Sequence, residues 1–105
     1  MPRYSDPVHP EVAARLFGRR PGNYIAHFDD GTVYNGRQSE TTNRIRAVMN
    51  RHPGEVVAVQ FMNDHSDDEC LRAAREDQTT EALLDDGYEV RNKIRPSWPG
   101  KCAIK

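Results

Sequence analysis

Tyr24, Tyr34 and Arg44 recur at intervals of ten residues, each tyrosine close to a glycine and the arginine at the start of a helical pattern. A phenol can hydrogen-bond a water or an oxyanion, and it can take a proton where a nearby cation favours the phenolate. A guanidinium presents a fork of donors that matches phosphate or carboxylate oxygens. Glu76 adds a carboxylate in an unusual setting. It falls in one helical column with Ala73, Thr80 and Leu83, so it projects from an apolar side where a charge is costly without a partner. An ion pair with a neighbouring arginine would be one such partner. Glu81, sharing its column with Asp77, Gln78 and Asp85, is the solvated counterpart. His27 follows Tyr24 in the same strand pattern and is a candidate proton relay.

The elements that must carry these groups can be read in turn. Residues 22–46 alternate and punctuate as strand, tight turn, strand and helix start. Their register rests on Asp29-Asp30-Gly31. A three-residue loop with Gly31 in the left-handed region pairs Phe28 with Thr32 and puts both tyrosines on one face; a two-residue loop throws them to opposite faces and brings His27 beside Tyr34. Residues 41–52 read as a helix burying Ile45, Val48 and Met49, stopped by Pro53-Gly54. The run EVVAVQFM from Glu55 reads as a third strand covered on both sides. Ser66 and Glu69 form a capping box for a long helix reaching Asp85. Upstream, Pro10 suits the first turn of a short helix through Phe17, taken as an added packing element. The expected fold is α+β, a three-stranded antiparallel sheet (residues 23–28, 32–36 and 56–62) flanked by helices.

Gly22-Asn23-Tyr24, Tyr34-Asn35-Gly36 and Arg44 in this context resemble the GIY-YIG nuclease family, and the resemblance extends through Glu76 to Asn92 and Lys93. Asn23 and Asn35 stand where the family carries isoleucine, a departure that bears on sheet packing more than on chemistry. The resemblance implies a Mg²⁺-dependent endonuclease that hydrolyses phosphodiester bonds, in DNA more than RNA. Glu76 would hold the divalent ion and Arg44 would grip a non-bridging phosphate oxygen. Tyr24 would act as base with Tyr34 positioning water or phosphate, or the reverse. Arg37, Arg46, Arg91, Asn92 and Lys93 would contact the nucleic acid. A non-catalytic nucleic-acid-binding module and a protein-interaction domain are the alternative readings.

Length bounds the rest: 105 residues suit a single domain, divided into an N-terminal extension (1–21), a core (22–93) and a tail (94–105). The net charge of −1 conceals a segregated distribution, with arginines in the first half, Arg91, Lys93, Arg95, Lys101 and Lys105 at the end, and acidic residues between. If the two basic segments meet, they form a phosphate-binding field on one face. Trp98, in a tail with two prolines, is expected to cover apolar surface. Cys70 and Cys102 are too few for a disulfide framework and are expected to be free thiols, and the four histidines lack metal-ligand spacing. No apolar run is long enough to span a membrane and the N-terminus lacks an apolar signal region, so a cytoplasmic protein is expected.

Overall fold

The three strands form a sheet with helices on both faces. The computed structural model describes residues 4–38, 43–63 and 69–91. In chain order these form α1 (Pro10–Leu16), β1 (Gly22–Phe28), β2 (Val33–Gln38), α2 (Arg44–Arg51), β3 (Val56–Asn63) and α3 (Glu69–Asp85). The strands make one antiparallel sheet in the order β2-β1-β3. The α+β fold and its three strands thus agree with the sequence expectation. The Ser66 half of the expected capping box lies outside the described residues.

The hairpin adopts the three-residue loop. Gly31 has φ +86°, a conformation costly for a residue with a Cβ. The Phe28 amide donates to the Thr32 carbonyl at 2.9 Å, and the Asp30 carboxylate accepts from the Thr32 amide and hydroxyl at 3.0 and 2.6 Å. The resulting register sets Tyr24 opposite Gly36 and Ala26 opposite Tyr34. Even-numbered residues of this hairpin therefore share one face.

That face packs Tyr24, Ala26 and Phe28, with Val59 and Phe61 of β3, against Ala13 and Ala14 of α1 and Ile45 and Val48 of α2. The opposite face carries Ile25 and Val33 against Leu83 of α3 and Val90. One expectation changes: β1, not β3, is the covered central strand, and β3 lies at an edge, with Val57 52% exposed. The short N-terminal helix packs against the core, where α1 supplies two fully or nearly buried alanines.

Ahead of α1 the chain lies along the outer edge of β3, where Val8 exchanges two backbone hydrogen bonds with Val59 and the Ser5 amide donates to the Phe61 carbonyl. Tyr4 then crosses to the α3 face and hydrogen-bonds Thr79 through its hydroxyl at 2.9 Å. On β2, Val33 meets the segment around Val90 in a parallel bridge. Cys70 is disulfide-bonded, which corrects the expectation of a free thiol there; Cys102 lies outside the described residues.

Candidate functional site

Tyr24 and Tyr34 stack on the α2 face with ring centroids 6.3 Å apart and planes within 16°. Their environments differ. Tyr24 is 2% exposed, lying over Gly36 so closely that a Cβ at Gly36 would sit 2.5 Å from the phenolic oxygen. Tyr34 is half-buried. Burial, then the neighbouring Tyr34, push the Tyr24 phenol well above the usual tyrosine range, with Arg44 and Arg51 opposing. A phenol held in its neutral form is a weaker base than an exposed one. Arg44 is exposed at the first position of α2. Its charge reaches Tyr24, as do those of Arg51 and, from across the sheet, Glu76.

Glu76 is brought inward, as its helical column predicts, and Glu81 is exposed. The sheet, however, lies between Glu76 and the tyrosine pair. α3 covers the odd-numbered face of the hairpin, where the Glu76 carboxylate pairs with Arg37 Nε at 3.2 Å. The surrounding positions are polar and fully buried. Asn35 donates to the Glu76 carbonyl at 2.8 Å and to the Thr80 hydroxyl at 2.7 Å. Asn23, with its amide oxygen turned toward α3, accepts from the Glu76 amide at 3.3 Å. Asn23 and Asn35 thus match a helix that carries Glu76, Thr79 and Thr80 toward the sheet instead of an apolar face.

A hydrated Mg²⁺ does not fit at Glu76 in this arrangement. The residue is 7% exposed and its carboxylate oxygen already faces a guanidinium, whose charge opposes a dication. Burial raises its pKa, with Arg37 opposing. Among the described residues, no cluster of three or more His, Cys, Asp or Glu is placed to hold a metal ion.

The remaining sequence candidates disperse. His27 faces away from the tyrosines, its Nε2 2.8 Å from Gln60 Oε1, so it is no relay between them. Arg37 lies under α3, Arg46 is held bidentately by Glu11 at 3.0 Å, and Arg91 pairs with Asp30 at 3.1 Å while covering the Phe28 ring. Arg37 thus faces α3, across the sheet from Arg46 and from the Phe28 ring that Arg91 covers, so the three do not share the one face expected of them. Asn92, Lys93 and Trp98 lie outside the described residues. A cavity of about 430 Å³ opens between α1 and the end of α2, lined by His9, Arg46, Asn50 and His52 among others, and includes none of Tyr24, Tyr34, Arg44 or Glu76.

Sequence reasoning missed Gln38 and Asn43. The only signal was local: an asparagine just before an apolar helical pattern reads as an N-cap, and Asn43 does accept from the Arg46 amide at 2.9 Å.

The buried phenols give a titration that checks the site. Burial pushes Tyr4 up to about 12 and raises Tyr24 further. The folded chain then retains protons that the unfolded chain releases near pH 10, so stability is intact below that pH and falls as pH rises through the folded values. Absorbance of phenolate should show Tyr4 and Tyr24 ionising late, and Tyr4→Phe should remove part of the alkaline destabilisation. Normal titration of both residues in the folded protein would contradict the packing described.

Compared with known proteins, the chain matches no family model, no curated protein and no solved structure.

Proposed function

We propose that the chain is a small endonuclease that hydrolyses phosphodiester bonds in nucleic acid, DNA in preference to RNA, the activity its resemblance to the GIY-YIG family implies, with different roles for Tyr24 and Glu76. The observation that carries this reading is the stacked Tyr24–Tyr34 pair on one sheet face with Arg44 entering the helix above it. In this reading Tyr34, the more accessible phenol, contacts the attacking water or the phosphate. Tyr24 keeps its proton and serves as a donor and as the floor on which Tyr34 stacks. Arg44 neutralises the charge that grows on the phosphate oxygens in the transition state. Glu76 acts through Arg37 and not through a cation.

A second reading, a nucleic-acid-binding module without catalysis, is favoured by the Arg37–Glu76 ion pair, which occupies the carboxylate expected to hold metal. One experiment separates them. Duplex, branched and single-stranded DNA, and RNA, are incubated with the purified chain with and without Mg²⁺. Tyr34→Phe and Arg44→Ala should each slow cleavage by about 100-fold or more, and Glu76→Gln should leave the Mg²⁺ response unchanged. Full activity in Tyr34→Phe would sink the catalytic assignment, while tight binding with no cleavage of any substrate would establish the second reading.

No helix among the described residues is long and apolar enough to cross a membrane. A cytoplasmic site of action is part of the proposal only for a chain whose Cys70 disulfide is reduced or transient, because stable disulfides belong to oxidising compartments.

A further inference from the structure

Gln38 is 4% exposed, and its single amide joins three elements. Nε2 donates to the carbonyls of Phe17 and, at 3.1 Å, Arg20. Oε1 accepts from the amides of Arg44 at 3.1 Å and Ile45 at 3.4 Å. Only one orientation of the carboxamide satisfies all four groups. Asn43 adds a second tie, donating to the Ala14 carbonyl at 3.2 Å. Gly18 permits the approach, since a Cβ there would lie 2.3 Å from the Ala14 oxygen and 2.6 Å from Asn43 Nδ2. The turn after α1 and the start of α2 are therefore locked together at the end of β2.

Arg19, Arg20 and Arg44 leave this junction exposed to solvent. Among the described residues none of them pairs with a carboxylate, whereas Arg37, Arg46 and Arg91 each do. The first amides of α2 are already taken by Gln38 and Asn43, so an oxyanion arriving here is met by side chains.

We infer that Arg19, Arg20 and Arg44, gathered at this junction by Gln38, form a surface for the phosphodiester backbone of nucleic acid, with Gln38 as its positioning residue. Guanidinium groups suit this ligand because each can take two phosphate oxygens at once. Several of them together match a polymer that carries one charge per repeat. The surface borders the tyrosine pair through Arg44. It deepens the proposed function in that respect, but its binding does not depend on cleavage.

The test is binding of a short fluorescent duplex DNA, and of the same sequence as RNA, in EDTA with salt varied from about 50 to 200 mM. The surface variant Arg19→Ser/Arg20→Ser should flatten the slope of log affinity against log salt by about two, since each phosphate contact contributes roughly 0.9. Gln38→Leu should weaken binding with every arginine retained; if it fails to fold, the arginine variant carries the test alone. Unchanged affinity and slope in that variant, or polyglutamate bound as tightly as DNA, would overturn the inference. Binding as described without cleavage under any condition would defeat the nuclease reading and leave this surface standing. Cleavage by the wild type with no loss of binding in the arginine variant would do the reverse.

Discussion

Gly36→Val is expected to destabilise the protein by about 3 kcal/mol and to separate the two tyrosine rings. Overpacking a filled site commonly costs about 1 to 3 kcal/mol. Here the first added carbon would lie 2.5 Å from the Tyr24 oxygen and 2.6 Å from its ring carbon Cζ. Tyr24 cannot retreat into space, because it is already enclosed by Phe61, Val59 and the helices on that face. It must swing away from Tyr34, becoming more hydrated and ionising at lower pH than in the parent. Urea denaturation reads the first effect and phenolate absorbance the second. A folded Gly36→Val chain with parental stability and unaltered Tyr24 titration would show that the ring does not lie on this glycine.

Glu76→Ala should cost about 2 to 3 kcal/mol, and the double change Arg37→Leu with Glu76→Leu should recover most of it. Removing one member of a buried pair costs about 3 to 5 kcal/mol when burial is complete. Arg37 keeps a quarter of its side chain in solvent and has a further interaction besides Glu76, which together lower the figure. The pair itself contributes little, because burial outweighs the attraction of Arg37 and holds Glu76 above the usual carboxylate range. Stability from this group is accordingly greatest at low pH and declines as pH rises through the elevated value. A Glu76→Ala chain as stable as the parent, or a double variant whose losses simply add, would contradict this account. The same variants bear on chemistry, since an arginine-seating carboxylate and a metal-holding one predict different responses to Mg²⁺.

The hairpin was legible because its register turns on one local choice: Asp29-Asp30-Gly31 closes as three residues, and Tyr24 and Tyr34 follow onto one face by parity. The inward aim of Glu76 was legible for the same kind of reason, a column of neighbours at helical spacing. Which side of the sheet that helix would cover was not, because periodicity says only that a helix has a buried side. The asparagines at 23 and 35 held the missing information. Two buried amides on the odd face call for a helix with polar groups to meet them, and α3 has Glu76, Thr79 and Thr80. The arginines misled for a different reason: a charge in sequence carries no sign of its partner, and Glu11, Asp30 and Glu76 each claim one. Gln38 was invisible because its four hydrogen bonds reach residues 6 to 21 positions away.

Residues 5–8 have a consequence for the order in which the chain can become itself during synthesis. Their backbone partners, Val59 and Phe61, are made more than fifty residues later, and the hydroxyl that Tyr4 meets belongs to Thr79. This segment is thus made before any of these partners and is among the last of the described segments that can settle. Until β3 emerges, β1 has β2 on one side and nothing on the other, and α1 has only part of its seat. Such long-range closures slow folding. A nascent chain stopped before Val56 would hold the complete tyrosine hairpin and its arginine helix, yet lack the strand that makes β1 central, so the sheet beneath the candidate site is completed only once β3 has been made.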